Sequence, residues 1–367
     1  MYFEIVLFTY LEYFIWKLFV LSYSFLFGNV MNDAPLLNMP EVVMNKILEL
    51  SDVRSILNFR KVCHSLRSYI DNIPPNTNCI SISITVVTKK ILVNCDFSDK
   101  KDTVITYYQD KKGCVVEYES NQKSFKNEDF IDIFANDLKT ILHFQKDPLQ
   151  RFSLSFKYEI HKNQVDDTSE IQQKLKEMLE SRKSQLPVEK FVMNAFKGDQ
   201  IMSILPSLNP KFLKEIWILD PTFWGDKLNS LDISEVAELN QWKSAKNIFI
   251  RRSVEPTAIP LFGHTKTAFL TFETITMDDV ETMETTFLHS STLKRLRFKY
   301  TRFTREQRLF DILGASFERP DGSEKNWYIR ITKSEDILHV MYIPRIQNIA
   351  FSRIELTDVP VGAVIQG

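Results

Sequence analysis

The sequence is poor in glycine, poor in cysteine and without an excess of either charge, and each shortage removes support for a class of function. Nine glycines in 367 residues leave no stretch with several at close spacing, so a Gly-rich phosphate cradle has nowhere to form and nucleotide binding lacks a motif. The four cysteines, Cys63, Cys79, Cys95 and Cys114, show no CxxC spacing and no histidine cluster beside them. They indicate neither a zinc site nor a thioredoxin-type pair, and read as reduced, mostly buried thiols of a cytoplasmic or nuclear chain. Lys+Arg 46 against Asp+Glu 47 gives no net field that calls for nucleic acid, an anionic membrane or an acidic ligand.

Catalytic arrangements are equally scarce. His64, His143, His161, His264, His289 and His339 are scattered, with none at helical spacing from another His or a Cys, so no metal-ligand set is implied. No GxSxG-like elbow offers a nucleophile. The carboxylate pairs Asp166-Asp167 and Asp278-Asp279 precede expected helices, where acidic side chains meet the positive end of the helix dipole, a role that suits them better than acid-base chemistry. The expectation is a chain that is not an enzyme and carries no catalytic residue, no cofactor and no metal.

What the sequence does contain begins with a hydrophobic segment at residues 1–30. A bilayer span needs about 20 predominantly apolar residues, but Glu4, Glu12 and Lys17 interrupt this run, and a leading Glu4 suits no signal peptide. Three readings stand: a membrane helix that tethers the chain, a buried or interfacial helix, and translation starting at Met31.

Residues 36–71 read as three short amphipathic helices. Pro40 suits a first helical turn, and Val43, Ile47 and Leu50, with Met44 and Leu48 beside them, form a wide apolar stripe. Ser51 and Asp52 can cap a second helix with Val53, Ile56 and Leu57, and a third places Val62, Leu66, Tyr69 and Ile70 on one side. About forty residues cannot bury all of that surface alone.

Beyond Pro74-Pro75 the period falls to two. Residues 80–120 alternate as short strands with breaks at Ser98-Asp99 and Lys111-Lys112-Gly113, the pattern of an antiparallel hairpin region. From residue 128 to 356 helices and strands alternate, with apolar strands at residues 191–193, 216–219, 248–250, 269–272, 296–298, 327–329 and 349–351 and a helix over 277–288. Strands separated by about 20 to 30 residues suggest a curved, degenerate leucine-rich-repeat-like α/β stack. The segment Lys246–Arg251 also echoes Lys325–Arg330. The fold expected is α+β.

Two resemblances add to this. Met39-Pro40, Ile47-Leu48, Leu57, Val62-Cys63 and Leu66 resemble the F-box, with Met39 where Leu is usual and Leu66 where Trp is common. The resemblance implies docking to a Skp-family adaptor, and through it to a cullin, by Met39, Pro40, Ile47, Leu48, Leu57, Val62, Cys63 and Leu66. Residues 105–118, Asp129-Phe130, Asp137-Leu138, Leu208-Asn209-Pro210, Trp242–Ala245 and 278–290 are similar to the FTH domain, which follows the F-box in the nematode F-box A family. That likeness implies binding of a client protein, whose contact residues the sequence leaves unknown. The function expected is a substrate-recognition adaptor of an SCF-type ubiquitin ligase. A rival is a ligase-independent protein-interaction scaffold that contacts RNA or an RNA-binding protein through the basic run Lys294, Arg295, Arg297, Lys299, Arg302, Arg305 and Arg308, interleaved with Phe298, Tyr300 and Phe303. The plainer reading of that run is a strand whose outward side chains are solvated.

Overall fold

The computed structural model describes residues 39–51, 53–72, 79–98, 103–118, 121–143, 145–157, 166–222, 229–318, 322–332 and 334–366. The hydrophobic segment at 1–30 lies outside the described residues. The fold is mixed α/β, with a large sheet of many strands and ten α-helices among the described residues. The chain divides into two compact units, Met1–Leu149 with Gln164–Lys183 and Gln150–Asn163 with Ser184–Gly367.

The first unit opens with α1 (Glu41–Leu50), α2 (Val53–Val62) and α3 (His64–Asn72), followed by β1 (Cys79–Val87), β2 (Lys90–Phe97), β3 (Thr103–Asp110), β4 (Gly113–Tyr118) and β5 (Asn121–Lys126). The period-two segments pair in sequence order as an antiparallel meander. Alternation sends Ile91, Val93, Cys95 and Phe97 of β2 inward, because successive side chains of a strand point to opposite faces. The break at Gly113 is enforced by space: φ is +140°, and a Cβ there would lie 2.0 Å from the Phe125 carbonyl oxygen. Helix α4 (Phe130–His143) buries Phe130, Phe134, Leu138, Ile141 and Leu142. Its Phe134 meets Tyr107 edge-on at 5.7 Å, and the Tyr107 hydroxyl donates to Asp137 at 3.1 Å. Burial, with Asp137 adding to it, pushes the Tyr107 phenol well above its ordinary value. Helix α5 (Asp166–Glu180) completes this unit.

In the second unit, β6 (Arg151–Phe156), β7 (Lys190–Asn194), β8 (Glu215–Leu219), β9 (Asn247–Ser253), β10 (Thr267–Ile275) and β11 (Arg295–Phe303) pair in parallel, each with the next. The register aligns one inward row: Phe152, Phe191, Ile216, Ile248, Ala268 and Leu296, all buried. Where β6 ends, Asn194 replaces a backbone partner. Its amide oxygen accepts from the Phe156 N–H at 2.7 Å and its nitrogen donates to the Phe156 carbonyl at 2.9 Å.

Between β7 and β9 lie the short helices α6 (Gly198–Met202), α7 (Ser234–Glu238) and α8 (Asn240–Ser244), whereas α9 (Met277–His289) links β10 to β11. The N-terminus of α9 is closed by a capping box: the Asp279 carboxylate accepts from the Thr276 N–H and hydroxyl at 2.8 Å each, and the Asp279 N–H donates back to the Thr276 hydroxyl at 3.3 Å. That is the helix-start role expected of Asp278-Asp279.

After α10 (Gln307–Leu313) and the two-residue β12 (Phe317–Glu318), the strands β13 (Lys325–Arg330), β14 (Ile337–Ile343) and β15 (Asn348–Ile354) reverse direction, β15 pairing antiparallel to β11.

Two expectations need correction. A leucine-rich-repeat stack repeats one connection, but here β9 and β10 are joined through a 3-10 segment, Pro256–Phe262, and β10 and β11 through a full helix. The last strands also turn antiparallel, so the echo between β9 and β13 joins strands of unlike pairing and marks no repeat. Nor do α1 to α3 stand as a separate three-helix module. They belong to the same unit as the meander, as their small size requires, and burial, with Asp71 and Arg60 as lesser influences, holds the pKa of His143 on α4 below its ordinary value.

On β14, His339 stacks on Tyr328 at 4.9 Å with its Nε2 2.8 Å from the Asn326 side-chain oxygen. Burial first, and then Arg295, hold its pKa below the ordinary 6.5. The unfolded chain therefore takes up the proton first as pH falls below about 6.5, and stability present above that value is lost. The melting temperature is expected to drop between neutral and mildly acidic pH, and His339→Gln is expected to shrink that drop; an unchanged pH response in the variant would contradict this.

Candidate docking site for a partner protein

Two faces of α1 have separate fates. Met44 and Leu48, one helical turn apart, are 5% and 2% exposed, and Ile56, Leu66 and Ile70 on α2 and α3 are buried as well. Pro40, Val43 and Ile47 follow each other at i, i+3 and i+7 on the adjoining face. There Pro40 and Val43 are exposed and Ile47 is half-buried.

The inner contacts are fixed by polar clasps. The Arg60 guanidinium grips Asp71 with both branches, at 2.7 and 3.2 Å, tying α2 to α3. The Tyr69 hydroxyl donates to Asn45 at 2.9 Å, tying α3 to α1. The Ser51 hydroxyl donates to the Ile47 carbonyl at 2.7 Å at the end of α1.

Cys63 sits in the one-residue break between α2 and α3, where its sulfur accepts from the Leu66 N–H at 3.5 Å and its carbonyl accepts from the Arg67 N–H at 3.1 Å. It acts as a helix cap, which explains a small polarisable side chain at that position. Just before it, Val62 is 70% exposed.

The residues expected to dock an adaptor therefore divide. Pro40 and Val62 are exposed, Met39, Ile47 and Cys63 are half-buried, and Leu48 and Leu66 are closed inside. The Leu57 side chain lies outside the described residues. Val42, 79% exposed, was not among them; it sits off the heptad-like stripe, and an apolar residue just outside a stripe is the signal that would have singled it out.

Among the described residues no group of His, Cys, Asp and Glu could hold a metal ion, and no helix is long and apolar enough to cross a membrane. In the basic run, Arg295, Arg297 and Lys299 alternate outward while Phe298 and Tyr300 point into the core, 0% and 4% exposed. Trp242 is also core, its indole N–H donating to the Leu261 carbonyl at 3.2 Å.

Comparison with known families finds an F-box domain over residues 36–78 and an FTH domain over residues 169–312. No curated protein matches the chain. F-box domains in general bind Skp-type adaptors and serve ubiquitin ligases as substrate adaptors, and both domains are typical of adaptors rather than enzymes. The chain is thus an F-box protein with an FTH domain following.

Proposed function

We propose that the chain recruits a client protein to an SCF-type cullin–RING ubiquitin ligase, holding a Skp-family adaptor through its F-box and the client through its FTH domain. The observation that carries this reading is the split within the F-box segment. Leu48 and Leu66 close the inside, yet Val42, Val43 and Val62 remain 79%, 41% and 70% exposed. Apolar side chains held at the surface by rigid polar clasps are what a partner's apolar face can cover. No bond is made or broken by this chain; proximity turns a slow bimolecular ubiquitin transfer into a local one.

The ligase-independent alternative, contact with RNA through residues 294–308, has lost part of its basis. Two of the three rings interleaved with those cations face inward, and base stacking needs exposed ring faces.

Val62→Asp and Val43→Asp test the adaptor reading. Both side chains are exposed, so the fold is expected to survive, while a carboxylate pressed against an apolar partner costs at least about 2 kcal/mol, roughly thirtyfold in affinity. Capture of a recombinant Skp-family adaptor is expected to fall accordingly. Capture at the wild-type level by both folded variants would sink the proposal.

A further inference from the structure

The face of the parallel sheet that looks away from its helices carries a row that the adaptor reading has not used. The register aligns Trp217 with Phe249, Phe249 with Phe269, and Phe269 with Arg297. All four side chains are half-buried, whereas the residues on either side of each ring in sequence, Ile216, Ile218, Ile248, Ile250, Ala268 and Leu270, are buried. The Trp217 and Phe249 rings are in contact at 4.6 Å.

Cations edge this row. Arg251, Arg295 and Lys299 are exposed on the same alternation as the rings. Among the described residues neither they nor Arg297 makes an ion pair; Arg297 instead donates through Nε to the Asn348 side chain at 2.8 Å. The acidic groups on this face are few. Glu215 is taken by Lys190 at 3.1 Å and by the Trp217 indole N–H at 3.0 Å, and Glu273 lies at the far end of β10.

We infer that this face binds an extended acidic segment of the client, with aromatic or aliphatic side chains between its carboxylates. The inference rests on the adaptor reading, which makes the FTH domain the client holder. Charge sets the sign: the unpaired guanidinium and ammonium groups match carboxylates, Arg295 and Arg297 through forked donors. Phe249, its ring in contact with that of Trp217, supplies the apolar anchor. Size agrees as well, since β8 to β11 spans three steps of about 4.8 Å, a distance that about five extended residues cover.

Single-stranded RNA fits less well. The Lys190 ammonium sits 3.7 Å from the centre of the Trp217 ring and the Arg297 guanidinium 6.0 Å from that of Phe269. Cations thus occupy the ring faces on which bases would stack.

The test measures binding of the full chain to three fluorescent probes: a peptide of alternating Asp and Phe, its Lys-Phe counterpart, and oligouridine RNA of matched length. The Asp-Phe peptide is expected to bind at least about tenfold more tightly than the other two. Combining Arg295→Glu with Lys299→Glu is expected to reverse that preference toward the Lys-Phe peptide, and Trp217→Ser to weaken both peptides. Equal binding of the two peptides, tighter binding of RNA, or a charge-reversed variant that keeps the original preference overturns the inference. Skp-family adaptor capture is read in the same samples. Its loss alongside intact peptide preference counts against the ligase reading only, and retained capture with no peptide preference counts against the acidic segment only.

Discussion

Arg353→Leu is expected to lower the stability of the second unit by about 3 kcal/mol. From β15 the guanidinium reaches the end of α9, where Nη2 donates to the carbonyls of Phe287, Leu288 and Ser290 at 3.0, 3.3 and 2.9 Å. Its Nε donates to the Leu293 carbonyl at 3.1 Å, and the cation lies 5.1 Å from the centre of the Phe287 ring.

The last carbonyls of a helix have no partner within it and carry the negative end of its dipole. One side chain thus satisfies several of them and pins the helix to the sheet. Leucine keeps apolar volume but removes every donor, and Arg353→Lys is expected to recover only part of the loss, because an ammonium lacks the fork. Urea unfolding followed by circular dichroism measures both. A shift below about 0.5 kcal/mol for Arg353→Leu would show that water replaces the guanidinium at no cost.

Leu48→Asp is expected to unfold the helical segment itself. At 2% exposure the side chain is part of the inner packing, so the variant loses the burial of a leucine and puts a carboxylate in its place. Leu→Ala alone in a core costs about 2 to 5 kcal/mol, and a buried charge adds to that. Adaptor capture would then fail for want of a surface rather than for want of a contact. Loss of helical signal, with fast amide exchange across residues 41–72, is the expected result. A variant that keeps native exchange protection and loses only the adaptor would place Leu48 at the interface after all.

The division between Leu48 and Val62 shows how far the sequence can be read. Periodicity finds the helices, because i, i+3 and i+4 spacing is a property of one element. It does not tell an inner stripe from an outer one when a short helix is apolar over much of its girth. That depends on what packs against it, here other parts of the same unit. Cys63 was legible as a motif residue, but its capping role follows from a one-residue break between helices that composition does not reveal.

In the second unit the seven apolar segments expected between residues 191 and 351 each fall on a strand. Their register, and with it the Trp217, Phe249, Phe269 and Arg297 row, depends on pairing between strands distant in sequence. A trace of the row was present: Ile216-Trp217-Ile218 and Ile248-Phe249-Ile250 are apolar at every position, where a strand with one solvated face would alternate. The leucine-rich-repeat-like expectation failed because spacing counts residues between strands without registering whether a helix or a 3-10 turn fills the gap.

Amide hydrogen exchange of the full chain with and without a recombinant Skp-family adaptor tests the central claim most directly. The account predicts added protection within residues 40–63, strongest beside Val42, Val43 and Val62, and unchanged exchange over β8 to β11. Binding that protects the sheet and leaves the helical segment unaltered, or no binding by a folded chain, would contradict it.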